Sequence, residues 1–275
     1  MRLVSFRRDT GIASFGRLAD DQVYDLGGAH GGSLREALGD GRDLSAAGPL
    51  RPLASVELLP VIPDPAKIFC IGLNYASHVL EMGNKPPAYP TVFTRWPDTL
   101  VADGKPLVKP AGSDRLDYEG ELAVIIGSGG RLIGREQATD HVAGYSIFND
   151  ASVRDWQRHS SQFTPGKNFP GTGGFGPALV TPDEIDDLGS LQVQTRLNGA
   201  TMQDQAIADL IFDLAALIAY LSAFTPLAPG DVIVTGTPGG VGDGRTPPVY
   251  LQPGDLVEVN IGTLGTLTNP VVAGP

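Results

Sequence analysis

Asp117-Tyr118-Glu119-Gly120-Glu121-Leu122 runs straight into Ala123-Val124-Ile125-Ile126, so an acidic stretch becomes an unbroken aliphatic one. Successive side chains of an extended strand point to opposite faces, which puts the Glu119 and Glu121 carboxylates on the same side. The glycine between them leaves the other face small. An aliphatic run of this kind marks a strand covered on both faces. Two anions at its edge repel one another and desolvate badly unless a cation joins them. A solvated strand end with two surface acids has the same pattern, because charged residues are nearly always exposed. The stretch therefore predicts a buried strand with, at its mouth, either a hard-metal site or a pair of surface acids.

Further strands are expected at 142–147, 191–197, 232–235 and 256–261, punctuated by turns at Asn198-Gly199, Pro229-Gly230-Asp231 and Pro253-Gly254-Asp255. The 36 glycines and 23 prolines in 275 residues favour turns and short strands over a helical bundle. Residues 1–60 show short alternating runs (Leu3-Val4-Ser5-Phe6, Ala13-Ser14-Phe15, Gln22-Val23-Tyr24-Asp25-Leu26), as in a small meander. Pro60-Val61-Ile62-Pro63-Asp64-Pro65 is stiff and extended, so a boundary is placed there. A small N-terminal β domain (1–60) and a catalytic domain (61–275) are the expectation. A strand at 67–72 and a short helix at 74–82, ending at Gly83, follow the boundary. The longest apolar helix candidate, 206–224, is interrupted by Asp209 and Asp213, and its continuous part is too short to span a bilayer.

A net charge of −11 and a pI near 4.7 argue against a nucleic-acid partner, which calls for a basic stripe. The single cysteine, Cys70 in Ile68-Phe69-Cys70-Ile71, makes no internal disulfide and reads as a small core residue. Met1-Arg2-Leu3-Val4-Ser5-Phe6-Arg7-Arg8 has no long apolar stretch of the secretory type. A soluble, cytoplasmic protein with no membrane partner is expected.

Asp150, in Phe148-Asn149-Asp150-Ala151, follows a strand-like run and opens a polar turn. Together with Glu119 and Glu121 it makes three carboxylates with no nearby His or Cys. All-oxygen donors favour Mg²⁺ or Mn²⁺, Ca²⁺ fits less well, and zinc is disfavoured. Asp150 equally fits the N-cap of a helix beginning at Ala151. His78 and Glu81, three apart on a helix, share a face on which the carboxylate can orient the imidazole as a general base. An incidental surface pair has the same spacing. Lys167, on a loop after Pro165-Gly166, joins Arg154 and Gln157 as a possible cradle for a carboxylate or oxyanion. His30, His141 and His159 are given no role. Gly171-Thr172-Gly173-Gly174-Phe175-Gly176 matches G-x-G-x-x-G but lacks the preceding strand and following helix of a dinucleotide site, and is rejected.

In order along the chain, Ile71-Gly72-Leu73-Asn74-Tyr75-Ala76-Ser77-His78, Asp114 to Leu122, Val142-Ala143-Gly144-Tyr145, Asn149-Asp150, Arg154-Asp155, Gly166-Lys167, Ile211-Phe212-Asp213, Pro229 to Ile233 and Thr235-Gly236-Thr237-Pro238 form a specific set. The set resembles the fumarylacetoacetate hydrolase family over nearly all of the chain beyond the proline-rich boundary. The resemblance implies a β-rich α+β fold, with a rolled mixed β-sheet in the catalytic domain and a small N-terminal β domain, and a homodimer. It also implies Mg²⁺ or Mn²⁺ held by Glu119, Glu121 and Asp150, with His78 and Glu81 on a segment that closes over the site. Arg154, Gln157 and Thr237 match substrate-contacting positions, and Tyr75 is a further candidate.

The activity implied is hydrolysis of a carbon–carbon bond in a 2,4-dioxo acid of the acylpyruvate type, as in aromatic catabolism or sugar-acid breakdown. There His78 and Glu81 activate water, while metal and Lys167 stabilise the enolate. Two departures stand out. No acid lies in 71–77, where larger eukaryotic members have a further metal-binding aspartate, and the lysine loop reads Gly166-Lys167-Asn168-Phe169-Pro170 instead of the Gly-Lys-Ser-Phe-Asp of many bacterial members. Decarboxylation or isomerisation of oxo acids on the same scaffold, or binding of a metabolite without turnover, are the alternatives, since a fold does not fix a reaction.

Overall fold

Gly120–Ile126 is buried at all seven positions and lies inside a twelve-stranded mixed sheet. The computed structural model describes residues 1–275. Even and odd residues of this strand serve different layers. Leu122, Val124 and Ile126 join a core cluster with Leu217, Ile218 and Leu221 of the long helix, while Ala123 and Ile125 join another with Leu3, Phe15, Phe148 and Phe175. Each such aliphatic side chain contributes about 2 kcal/mol on burial, so a strand covered on both faces is firmly held. Glu121 continues the odd face, at the end where apolar contacts give way to acids.

Ten strands of the sheet run in the order Leu50–Pro52, Gln22–Asp25, Ala13–Ala19, Arg2–Arg7, Gly173–Val180, Val142–Asp150, Gly120–Ile126, Val232–Val234, Ile68–Gly72 and Thr91–Thr94, and the other two, Glu57–Leu58 and Leu100–Val101, pair with Arg2–Arg7 and Gly173–Val180. A five-stranded sheet (Ala200–Ala206, Gln192–Leu197, Leu256–Asn260, Thr266–Ala273, Leu107–Lys109) packs Val193, Val259 and Leu267 into the same cluster as Leu122. The fold is thus the β-rich α+β rolled sheet that was expected. The N-terminal meander forms as read, and its first strand pairs with Gly173–Val180 through Arg2↔Val180 and Leu3↔Leu179. Across the expected boundary near residue 60 the hydrogen-bonded sheet is therefore continuous.

The helices differ from expectation in number and extent. They are α1 (Leu34–Gly39), α2 (Ala76–Glu81), α3 (Arg154–Gln157), α4 (Thr164–Lys167) and α5 (Leu214–Phe224). α5 begins later than residue 206 because the Asp213 carboxylate accepts the Ala216 amide at 2.8 Å and caps it, while Ala200–Ala206 is a strand. No helix is long and apolar enough to cross a membrane. Asn198 (φ 51°) and Gly199 (φ 81°) make the left-handed two-residue turn that joins Gln192–Leu197 to Ala200–Ala206. The glycine-rich Gly173–Val180 is an inner strand, missed because its small residues serve close approach. A Cβ on Gly174 would lie 2.6 Å from Asn269 Oδ1. Cys70 is fully buried and free, and burial pushes its thiol well above the ordinary value, as suits a core residue.

Candidate metal centre and active site

Glu121 pairs across the sheet with Phe148, and the Asp150 amide donates to the Glu119 carbonyl at 2.9 Å. Residues 148 and 150 share a face, so this register brings Asp150 to the side already occupied by the two glutamates. Ligand oxygens of Glu119, Glu121 and Asp150 all lie within 4.8 Å of one another. The three residues are buried, which overturns the surface-acid reading. Asp150 ends a strand, and α3 starts four residues later with Val153 at its N-cap position, so the capping reading of Asp150 is overturned as well.

Three buried cations face these acids. Lys167 Nζ lies 2.5 Å from both Glu119 Oε2 and Asp150 Oδ2. Arg95 Nη1 donates to Asp150 Oδ1 at 2.7 Å. Arg154 Nε donates to Asp117 Oδ2 at 2.8 Å, and its Nη2 stands 2.7 Å from Glu119 Oε1, at ion-pair distance but out of hydrogen-bond alignment. Burial works to raise the Glu119 carboxyl, but Arg154 and Lys167 more than reverse it and hold the group low. Glu121 has no such partner. Its one bonded oxygen takes the Gly236 amide at 2.5 Å, and burial, then Asp150 and Glu119, push its carboxyl well up. A buried carboxylate held only by an amide, beside two others, fits a hard divalent cation, and the donor set is oxygen throughout.

His78 and Glu81 stand together on α2, with His78 Nδ1 3.4 Å from Glu81 Oε2. Both Glu81 oxygens also accept the Gly240 amide, at 3.0 and 3.1 Å. Burial raises the Glu81 carboxyl, but the His78 and Gly240 hydrogen bonds outweigh it and hold the group below its ordinary range. The carboxylate therefore stays charged near neutral pH and favours a proton on Nδ1, which leaves Nε2 as the basic nitrogen.

A cavity of about 410 Å³ is lined by His78, the three acids, Arg154, Gln157, Lys167 and Thr237 among others. The structure thus gathers every residue singled out in the sequence except two. Glu81 touches the cavity only through His78. Tyr75 is fully buried off the cavity wall, so its substrate contact is not realised; its hydroxyl has no hydrogen-bond partner, and its backbone bridges Leu210. Lys167 ends the one-turn α4 instead of lying on an open loop, and neither it nor Arg154 is a free cation. Thr237 donates to the Gly120 carbonyl at 3.0 Å and accepts from Gln203 at 2.8 Å, which ties this wall to the start of the acidic strand. Arg95 and Asp117 were not assigned roles from the sequence. Arg95 follows the Thr91–Thr94 strand with no motif of its own, and only the ion pair across 55 residues reveals it.

A hard-cation site at the mouth of a buried strand, beside a histidine–carboxylate pair, in a rolled β-sheet: this is the class of protein that fold and site define. Residues 67–272 match the family described as Fumarylacetoacetate (FAA) hydrolase C-terminal, and the chain belongs to the fumarylacetoacetate hydrolase family. The oxaloacetate tautomerase of Bacillus subtilis (strain 168) is 45% identical over 224 residues, covering 80% of this chain and 74% of that protein. The fumarylacetoacetate hydrolase of psychrophilic Exiguobacterium antarcticum superposes with a TM-score of 0.88 at 38% identity, covering all of both chains. The maleylpyruvate hydrolase of Sphingobium sp. SYK-6, solved with manganese (II) ion and pyruvate, superposes with a TM-score of 0.81 at 29% identity, again over all of both chains.

Proposed function

We propose that the chain is a Mg²⁺- or Mn²⁺-dependent enzyme that makes and quenches the enolate of a short 2-oxo acid, with keto–enol tautomerisation of oxaloacetate as its reaction. The observation that carries this reading is the shared cavity in which the buried triad Glu119, Glu121 and Asp150 meets the His78–Glu81 pair. The 45% identity to an oxaloacetate tautomerase supports the choice of reaction. The three carboxylates would hold the ion, which when bound supplies Lewis-acid polarisation of the 2-oxo acid and charge for the enolate.

The residues of the chain supply the proton handling. His78 Nε2 takes a proton from C3 of the keto acid, and the pair of that C–H bond becomes the C2–C3 double bond. The π pair of the C2 carbonyl moves to its oxygen, which takes the proton back from the His78 imidazolium, so the base is restored and the enol forms with no water consumed and no fragment lost. Glu81 keeps the imidazole in the basic tautomer and stabilises the charge it gains. Lys167, buried beside Glu119 and Asp150, adds positive potential where the enolate charge develops.

The test follows the decay of enol oxaloacetate after dissolution, with Mg²⁺ and with Mn²⁺. A rate far above buffer that falls on chelation is expected, and no acceleration with either ion overturns the reading. Hydrolysis of an acylpyruvate is the second reading, favoured by the same His78–Glu81 geometry, which suits the activation of water equally well. In it the C–C bond breaks, its pair leaves as the pyruvate enolate, and the acyl group departs as a carboxylate. Pyruvate release from acetylpyruvate, measured in parallel, separates the two.

A further inference from the structure

Three of the side chains on the cavity wall are permanently cationic, Arg154, Arg158 and Lys167, and they differ in what they are free to do. Arg154 and Lys167 are each 2% exposed and are bonded to the buried acids. Arg158 is 52% exposed, and its guanidinium has one side-chain partner, Asp243, itself 5% exposed. Asp243 is fixed in turn: its Oδ1 accepts the Tyr250 hydroxyl at 2.6 Å, and its amide donates to Asp117 Oδ2 at 3.0 Å. A guanidinium carries five donors, so this anchor orients the group and leaves the other donors without a partner in a side chain that lines the cavity. Arg158 closes α3 four residues after Arg154, so the two side chains leave the same side of the turn, offset by about 6 Å along it. Apart from the three acids, His78 and these three cations, the cavity lining carries no charged side chain.

We infer that Arg158 binds the second carboxylate of a dicarboxylic 2-oxo acid and so sets the substrate class of the site. This rests on the oxo-acid reading above. One end of the substrate reaches the buried acids and their ion, and the other lies under Arg158, the single open cation of the wall. A monocarboxylic oxo acid makes the first contact and not the second.

Two measurements test this on the full chain loaded with Mg²⁺. The first is turnover of wild type, Arg158→Gln and Arg158→Lys, by tautomerisation of oxaloacetate and by C3 deuterium exchange of 2-oxobutanoate. Arg158→Gln should raise KM for oxaloacetate by about tenfold, as loss of a charged hydrogen bond does, with kcat and the 2-oxobutanoate kinetics unchanged, and Arg158→Lys should recover part of the loss. Equal effects on both substrates, or none on oxaloacetate, overturn the inference. The second is calorimetric binding of two unreactive acids, malate and 2-hydroxybutanoate, which differ by the distal carboxylate. A preference for malate that Arg158→Gln abolishes upholds the assignment even where no turnover is found, in which case the reaction reading alone fails. Equal binding of the two acids by wild type overturns the assignment even where oxaloacetate is turned over.

Discussion

The Arg95 guanidinium holds Asp150 by a single oxygen, with Nη1 2.7 Å from Oδ1, and leaves Oδ2 to the cavity side, where Lys167 stands. Arg95 is itself fixed, with Nη1 also on the Ala151 carbonyl at 3.1 Å and Nη2 on the Thr172 hydroxyl at 2.6 Å. A Cβ on Gly173 would come within 3.1 Å of Arg95 Nε, so the backbone beside it is kept bare for this side chain. Arg95 is a positioning residue. It sets which oxygen of Asp150 can meet an ion.

Arg95→Met should therefore weaken divalent-ion binding by roughly ten- to a hundredfold, the usual cost of losing a group that orients a ligand. It should also destabilise the fold by about 3 kcal/mol, because Asp150 is left in the interior with one cation fewer. Calorimetry with Mn²⁺ and urea denaturation read the two effects separately. Unchanged affinity in a folded Arg95→Met protein would refute the positioning role.

Glu121→Gln should separate binding from stability in sign. Glu121 has no cationic partner and sits beside two other carboxylates. The same burial and neighbouring acids that push its carboxyl up favour a neutral group when no metal is bound, so Gln replaces it at little cost and the metal-free variant should be as stable as wild type or more stable by about 1 kcal/mol. The same change removes an ion ligand, so the rise in Tm that Mg²⁺ or Mn²⁺ gives wild type should disappear. A variant that is less stable without metal and still responds to it would contradict this account.

What was legible in the sequence is what depends on local spacing. Glu119 and Glu121 share a face because a strand alternates, and His78 and Glu81 meet because a helix repeats. Asp150, Arg154 and Lys167 were legible through their order in a family pattern. Arg95 was not, because its ion pair depends on tertiary approach and no spacing rule reports that. The Gly173–Val180 strand was hidden for a related reason. Glycine reads as a turn residue, whereas here it admits Asn269 and Arg95 against the backbone. Continuity of the sheet past residue 60 hangs on Arg2↔Val180, a pairing across most of the chain. Tyr75 was misplaced because its position in a motif says nothing of the direction its ring takes.

His78→Gln should lower kcat for any enolising substrate by roughly a hundredfold or more, the usual contribution of a general base, with ion affinity unchanged. Glu81→Gln should cost less, since it removes orientation and charge support but leaves the imidazole. Its effect should fall on kcat more than on KM. Equal rates for wild type and His78→Gln with ion bound would remove His78 from the reaction.

Asp25 gives the N-terminal meander an acid-sensitive anchor. Burial acts to raise its carboxyl, but hydrogen bonds from Arg8, Ser14 and Arg51 outweigh it and pull the group down to about 2. The folded value lies below the unfolded one, so the contribution is present above about pH 4 and is lost as pH falls toward 2. A shift of this size corresponds to about 2 kcal/mol. The stability gap between wild type and Asp25→Asn, from urea denaturation, should be widest at pH 5 to 7 and close between roughly pH 4 and 2. A gap independent of pH would mean that packing, and not charge, is what Asp25 supplies.

Gly236 links the ion site to the turn before α2. Its φ of 106° is left-handed, and a Cβ there would lie 2.7 Å from Asn74 Cβ and 3.0 Å from the Ile71 carbonyl. Asn74 cannot give way easily, because its side chain donates to the Phe212 and Thr235 carbonyls and accepts the Phe212 amide. The strain of Gly236→Ala must then move residue 236 itself, and with it the amide that holds Glu121. Gly199→Ala is the control, since Gly199 has a φ of 81° but nothing within 4 Å of an added Cβ. Both variants pay left-handed strain of about 1 to 2 kcal/mol. Only Gly236→Ala should lose ion affinity, by roughly tenfold or more, if orienting a ligand is what the amide does. Equal ion affinity in the two variants would show that Glu121 keeps its place without the Gly236 amide.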